Sequence, residues 1–188
     1  MKRTKSLIAS AAVAAVILIG SANANAQTTS VNDGDSKATR LGLGLSAGIP
    51  TTQGYKFGFG GDVRLQQDFT SNISGILSVG YNTFSVKPNP ALTLPARTDV
   101  NNLDFIPVKA GIKVFPVARF YFSGEVGVGF GTRDGSNMTF IYAPGIGVGT
   151  NAGIDIGLRY EGMTGNSLIV LKNPGQVALR LAYGFNLN

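Results

Sequence analysis

The residues of this chain that could do chemistry are its charged side chains, because it contains no histidine and no cysteine. Their absence removes Ser-His-Asp and Cys-His nucleophilic sites, the usual general base and the common zinc ligand sets. Paired carboxylates such as Asp155 and Glu161 remain as a general acid and base in principle, but they would also need a cleft that admits a substrate. Because so few side chains could act as a general acid, a general base or a metal ligand, we predict that the protein is not an enzyme and holds no metal or cofactor.

The charged residues alternate with large apolar residues, so that they share one face of extended segments. Residues 154–162, for example, place four apolar side chains opposite Asp155, Arg159 and Glu161. A period of two is typical of β-strands, and no stretch after residue 38 shows helical periodicity. The predicted strands cover residues 39–49, 56–69, 73–84, 100–114, 120–131, 140–149, 154–162 and 176–187. The alternation changes phase near Pro107, which predicts a β-bulge there.

Long and short connections alternate between these predicted strands. Residues 86–99, 132–139 and 163–174 form long connections, whereas residues 70–72, 115–119 and 150–153 form short ones. An up-and-down transmembrane barrel has short turns at one end and longer loops at the other. We therefore predict an all-β protein, an eight-stranded antiparallel up-and-down transmembrane β-barrel, with both chain ends on the side of the short turns.

Alternation alone fits both a soluble barrel with an apolar interior and a membrane barrel with an apolar exterior. Here the apolar faces carry large side chains in every strand, while the opposite faces are mostly Gly and Ser with scattered charges. Small residues on one face suit the narrow lumen of an eight-stranded barrel. Aromatic residues such as Tyr55, Phe69 and Tyr183 lie toward strand ends and fit interfacial girdles. We therefore expect the apolar face to meet lipid and the polar face to line the lumen.

The face predicted to line the lumen carries charges whose signs nearly cancel. They are Lys56, Asp62, Arg64, Asp68, Asp104, Lys109, Lys113, Glu125, Asp155, Arg159, Glu161 and Arg180. A lone charge in a weakly solvated interior costs several kcal/mol, so these residues must pair. We therefore predict a cross-barrel network that plugs the lumen. The alternative is a charged constriction in a narrow, passive, porin-like channel for ions or small solutes.

The first residues predict export across a membrane. A positively charged start precedes a short apolar run over residues 7–19, and Ala24-Asn25-Ala26 matches a signal peptidase site. We predict a cleaved signal peptide over residues 1–26 with cleavage between Ala26 and Gln27, a flexible periplasmic segment over residues 27–38, and a barrel domain over residues 39–188. The absence of cysteine excludes a disulfide framework and an anchor on a lipidated cysteine.

Four segments carry a resemblance to a known family. They are residues 105–113 (FIPVKAGIK), 124–129 (GEVGVG), 153–160 (GIDIGLRY) and 179–185 (LRLAYGF). They resemble the small outer-membrane β-barrel proteins of Gram-negative bacteria, the OmpA/OmpX-type barrels and the related outer membrane protein β-barrel domain or porin-like family. Such barrels often end on an aromatic residue that the assembly machinery recognises. This chain ends Phe185-Asn186-Leu187-Asn188, so that signal would be read slightly inside the end.

The pattern and the resemblance together imply a location in the cell outer membrane, with both termini in the periplasm. The expected partners are outer-membrane lipid and lipopolysaccharide, and the barrel-assembly machinery during insertion. Nucleic acid is not expected because the basic residues are scattered, and a barrel without a free edge needs no second copy, which favours a monomer. We expect a non-enzymatic structural or surface-interaction role through external loops such as residues 87–99. A narrow channel and a soluble periplasmic barrel that binds an apolar ligand are the alternatives.

Overall fold

The structure, a computed structural model, describes residues 38–87, 102–132, 138–150, 152–164 and 175–187. Its strands are β1 (Thr39–Pro50), β2 (Tyr55–Asp68), β3 (Ile73–Val86), β4 (Asn102–Val117), β5 (Phe120–Gly131), β6 (Met138–Gly149), β7 (Ile154–Thr164) and β8 (Gly175–Asn186). Each strand pairs antiparallel with the next, and β8 pairs with β1, so the sheet closes into a barrel. The predicted eight-stranded fold is confirmed. Within the described ranges, no helix is long and apolar enough to cross a membrane.

The barrel has two ends that differ in their connections. One end of the barrel, which we call the terminal end, contains the start of β1, the end of β8 and the turns at residues 69–72, 118–119 and 150–153. The connections over residues 51–54, 87–101, 132–137 and 165–174 join strands at the opposite end, the loop end. The predicted signal peptide, residues 27–37 of the predicted periplasmic segment over residues 27–38, and most of the longest loop lie outside the described residues.

Two turns at the terminal end need unusual backbone conformations. Arg119 has a φ of 76° in the two-residue connection between β4 and β5. Gly153 has a φ of 84°, and its N–H donates to the carbonyl of Thr150 at 3.2 Å. Glycine adopts this left-handed region freely, whereas a side chain such as that of Arg119 adopts it at a steric cost. These tight turns fix the register of the strands that they join.

The strands turn their apolar side chains outward and their polar side chains inward. In β1, for example, Leu45 is 61% exposed and its neighbour Ser46 is 4% exposed. From Val177 to Phe185 the outward face of β8 spans about 26 Å along the strand, or about 20 Å along the axis at a tilt of about 40°. An apolar belt of this height, around an interior that buries charge, is the arrangement of a transmembrane barrel. The barrel is therefore an inverted one, with its hydrophobic surface outside.

The predicted bulge near Pro107 is wrong. Pro107 pairs with Gly129 of β5, and the pairing with both neighbouring strands keeps one register across it. The register shifts instead between Tyr55 and Gly58 in β2 and between Val114 and Val117 in β4. The change of phase in the sequence has another cause. The loop-end part of β4 faces the lumen with apolar residues such as Phe105, and its middle part faces the lumen with Lys109 and Lys113.

An apolar cluster fills the loop end of the lumen. It consists of Tyr55, Phe84, Phe105, Ile141 and Met163, with Val86 and Leu103 packed against it. The ring of Phe84 stacks on that of Phe105 with centroids 5.8 Å apart and meets that of Tyr55 edge-on at 5.7 Å. Tyr55 was expected in a lipid-facing girdle, but the register shift after it turns its ring inward. This cluster is the part of the interior that resembles an ordinary hydrophobic core.

Candidate functional site

The lumen gathers most of the charged residues that the sequence singled out. Ten of the twelve face it, from strands all around the barrel. They are Asp62, Arg64, Asp68, Lys109, Lys113, Glu125, Asp155, Arg159, Glu161 and Arg180. Strand alternation places them, because inward positions recur every second residue. The pairs Arg64–Glu125, Lys109–Glu161 and Lys113–Asp155 join strands that are not neighbours in the sheet, so these three ion pairs cross the barrel.

Glycines on the inner face leave the space that these long side chains occupy. A Cβ built on Gly44 would lie 2.5 Å from Nη2 of Arg180, and one on Gly127 would lie 2.9 Å from Cγ of Lys109. Both distances are too short for real atoms, so a larger residue at position 44 would displace the side chain of Arg180, and one at position 127 would also collide with the carbonyl oxygen of Val108 at 2.0 Å. The glycines of the inner face therefore leave room for the long charged side chains of the lumen.

The middle of the lumen is bridged by Arg64 of β2 and Glu125 of β5. Nη2 of Arg64 lies 2.5 Å from Oε1 of Glu125, and the side chains are 6% and 3% exposed. The hydroxyl of Ser78 donates to the second carboxylate oxygen at 3.1 Å. A charge-assisted bond of this length between two buried groups is a strong one.

Toward the loop end, Glu161 gathers donors from several strands. Nζ of Lys109 donates to its Oε2 at 2.8 Å, and Nη2 of Arg159 lies 3.4 Å from the same oxygen. Its Oε1 accepts from Nδ2 of Asn82 at 3.0 Å and from Nε2 of Gln176 at 3.4 Å. Glu161 is 0% exposed, so this carboxylate is wholly removed from solvent beneath the apolar cluster.

Toward the terminal end, Arg180 and Asp155 link two further pairs. Arg180 donates two hydrogen bonds to the carboxylate of Asp62, from Nε to Oδ2 at 2.9 Å and from Nη2 to Oδ1 at 2.5 Å. Asp155 accepts from Nζ of Lys113 at 2.5 Å and from the hydroxyl of Tyr121 at 2.7 Å. Nη1 of Arg180 lies 3.6 Å from Asp155, which joins the two pairs. The two-pronged contact uses the planar fork that arginine offers to a carboxylate.

The structure also contains partners that the sequence reasoning missed. Arg40 of β1 forms an ion pair with Asp68 beside the terminal opening, and Ser74 donates to the same carboxylate at 2.5 Å. Arg40 lies two residues before Gly42 on the polar face of β1, so the alternation could have found it. The uncharged partners Asn82 and Gln176 also lie on inward positions, but a search for charges passes over them.

Two predicted lumen residues lie elsewhere. Lys56 is exposed, because the register shift after Tyr55 takes it off the inward face. Asp104 alternates with the inward Leu103 and Phe105, so it faces outward, where it lies against Tyr81 near the loop end. Both corrections follow from apolar residues occupying the loop end of the lumen. The charged side chains that face the lumen lie below that cluster.

The lumen shows no arrangement suited to metal binding in the described part of the chain. No three acidic side chains there come together as a metal-binding group. The buried carboxylates instead each contact a lysine or arginine. Paired side chains arranged in this way can fill the lumen and hold the surrounding strands in position.

Solved structures with a similar fold are small outer-membrane barrels. The attachment invasion locus protein Ail of Yersinia pestis matches with a TM-score of 0.53 at 15% identity, over 80% of this chain and 99% of Ail. The N-terminal β-barrel domain of Pseudomonas aeruginosa OprF gives 0.51 at 10% identity, over 78% and 97%. No protein-family model matches the sequence, and no curated protein matches it significantly. At these identities the likeness shows the fold alone, which is the fold that the sequence resemblance predicted.

Proposed function

We propose that this protein is a non-enzymatic outer-membrane barrel whose lumen is closed by its own side chains, and that it acts through its external loops in a structural or surface-interaction role. The observation that carries the proposal is the set of buried ion pairs inside the barrel. Arg64–Glu125 and Lys109–Glu161 cross the lumen, and Asp62–Arg180 joins β2 to β8 over the inner face of β1. An eight-stranded barrel has little interior beyond what such side chains fill.

The surface supports a place in a lipid bilayer. Large apolar side chains form the outer face of every strand, among them Leu45, Leu77, Val126, Ile156 and Leu179. A contiguous apolar surface of this extent marks contact with a membrane or a large partner. The fold shared with Ail and OprF favours the outer membrane. With both chain ends at the end of the short turns, that end faces the periplasm in this proposal.

The partners in this proposal follow from that orientation. The belt contacts outer-membrane lipid and lipopolysaccharide, and the barrel-assembly machinery inserts the chain. The long loops then face outward, where a structural or binding partner can meet them. Ail has been solved in complex with the heparin analogue sucrose octasulfate, so a surface-interaction role is compatible with this fold. A closed sheet offers no edge for pairing, which favours a monomer.

The experiment that tests the closed lumen is planar-bilayer conductance of the refolded protein. A heat-dependent shift in gel mobility verifies that the inserted protein is folded, and a general porin in the same lipid serves as the positive control. We expect silence from the folded protein. Steady, salt-dependent current steps would overturn the closed lumen and support the narrow channel, with Lys109, Lys113 and Arg180 as its selectivity residues.

Membrane extraction tests the remaining alternative, a soluble barrel that binds an apolar ligand. That alternative needs an apolar interior, whereas Arg64, Lys109 and Glu125 are each 5% exposed or less inside this barrel. We expect the protein to leave the cell envelope only with detergent. Release by washing at high salt alone would contradict both the closed membrane barrel and the narrow membrane channel.

A further inference from the structure

A small cavity lies inside the terminal end of the barrel. Its volume is about 30 Å³, roughly twice the 10–15 Å³ that one water molecule requires. Its charged lining is Arg40, Arg64, Lys113, Arg180 and Asp155. Arg40 and Asp155, with side chains 12% and 13% exposed, are more accessible than the lumen charges nearer its middle, such as Arg64 and Glu125, so the cavity lies near the opening. Nothing in the proposed closed-barrel role uses this space.

The walls of this cavity are strongly cationic. Each of its four basic side chains has a carboxylate partner, but Asp155 is the one partner that also lines the cavity. The carboxylates of Asp62, Asp68 and Glu125 contact their partners from outside the lining. The inner surface therefore presents four positive groups and one negative group to whatever occupies it. A low-dielectric interior strengthens such a field.

Two of these basic side chains have an N–H group without a hydrogen-bond acceptor. Nε of Arg40 and Nε of Arg64 are buried and make no hydrogen bond with any described residue. A buried N–H without an acceptor destabilises the folded state, and more so when the group is charged. Arg64 is 95% buried, so bulk water does not satisfy it fully. An acceptor bound in the cavity would offset that cost.

The charge of the whole lumen is also unbalanced among the described residues. Six cations face it, namely Arg40, Arg64, Lys109, Lys113, Arg159 and Arg180, against five carboxylates, namely Asp62, Asp68, Glu125, Asp155 and Glu161. The extra positive charge falls at Glu161, whose carboxylate Lys109 and Arg159 share toward the loop end, so the attraction of the cavity for an anion rests on its own four basic side chains and not on this excess. The cavity volume limits that anion to about the size of a halide.

We propose that this cavity is a binding site for a halide-sized monovalent anion, held by Arg40, Arg64, Lys113 and Arg180 at the terminal end of the lumen. The bound anion stabilises the folded barrel, because it accepts from buried donors that the unfolded chain exposes to water. The site does not depend on whether the lumen conducts. Its test therefore uses the folded protein in detergent or lipid whatever the outcome of the conductance measurement.

The first test is thermal unfolding in sodium chloride and in sodium gluconate at equal ionic strength, followed by circular dichroism. Gluconate is too large for the cavity, so it controls for general screening. Stabilisation by a ligand that binds only the folded state grows with its concentration relative to Kd. We expect the unfolding midpoint to be about 3–6 °C higher in chloride once chloride reaches roughly ten times Kd. Equal midpoints in the two salts would overturn the proposal.

The matched variants are Gly42→Ala, which fills the cavity, and Gly124→Ala, which does not. Gly42 lines the cavity, and a Cβ there would meet its nearest atoms at 3.7–3.9 Å, an ordinary contact distance, so the barrel accommodates it. Gly124 is exposed, and an added Cβ meets nothing within 4 Å. We expect Gly42→Ala to lose the chloride dependence and Gly124→Ala to keep it. Retention of the full dependence in Gly42→Ala would contradict the assignment.

Anomalous diffraction from crystals grown with bromide locates the anion directly. The proposal expects a bromide peak in the cavity within contact distance of Arg40 and Arg64. A peak there without any effect of halide on thermal unfolding would identify an adventitious ion only and would overturn the proposal. A peak elsewhere in the lumen, for example beside Arg159, would also contradict it.

Discussion

The ion pair between Arg64 and Glu125 provides the most informative perturbation of this barrel. Glu125→Gln changes the size of the side chain very little but removes the only carboxylate that forms an ion pair with Arg64 among the described residues. The two groups are 2.5 Å apart and almost fully buried. Breaking a buried pair by neutralising one partner costs about 3–5 kcal/mol, because the other charge stays buried without compensation. We expect Glu125→Gln to lower the free energy of unfolding by that amount.

The double variant Arg64→Met/Glu125→Leu separates this charge effect from simple loss of packing. Replacing both members of a buried pair with apolar residues of similar volume is often neutral, so the double variant should be more stable than Glu125→Gln alone. Lys56→Ala, an exposed charge, is the control and should change stability by less than about 0.5 kcal/mol. Urea unfolding in phospholipid vesicles, followed by circular dichroism because the chain has no tryptophan, measures all three. A Glu125→Gln barrel within about 0.5 kcal/mol of the unmodified protein would refute this reasoning.

Four further outcomes follow from the same structure. Glu161→Gln should cost about 3–5 kcal/mol in the urea assay, because it leaves two buried cations without their carboxylate. Phe84→Ala should cost about 3–5 kcal/mol through the lost apolar cluster, yet remain silent in bilayer conductance, because in the proposed closed barrel the ion pairs below that cluster are enough to close the lumen. Gly111→Ala should destabilise by more than about 1 kcal/mol, since its Cβ would collide with the carbonyl oxygen of Gly124. Arg119→Gly should stabilise by about 1 kcal/mol by relieving a positive φ.

The strands and the barrel could be predicted because the chain alternates with a period of two over segments of membrane-spanning length. Each inward position is two residues from the next, so Asp155, Arg159 and Glu161 fall on one face whatever the details of packing. The alternation of long and short connections then fixed which end carries the termini. The alternation of residues and the lengths of the connections can both be read along the chain, so a single sequence is enough to show them.

The composition of the lumen along its axis could not be predicted in the same way. Alternation indicates which residues share a face, but it does not show that the inward face turns apolar at the loop end. Leu103 and Phe105 therefore indicated an outward face, and Asp104 between them an inward one, whereas the structure has them reversed. A one-residue shift of register inverts every later assignment, which is also why Lys56 was misplaced. The pairing of particular charges depends on strands brought together only by closure of the barrel.

The placement of this protein in a membrane depends most on the inversion of the barrel, with apolar side chains in lipid and charged side chains in the lumen. Adjacent positions test it directly, because the chain has no native cysteine. A fluorophore on Leu45→Cys should be quenched by brominated acyl chains in vesicles, whereas Ser46→Cys should react with maleimide only after unfolding. Ready labelling of Ser46→Cys in the folded protein, together with quenching of the Leu45→Cys fluorophore by aqueous iodide instead of lipid, would contradict the account.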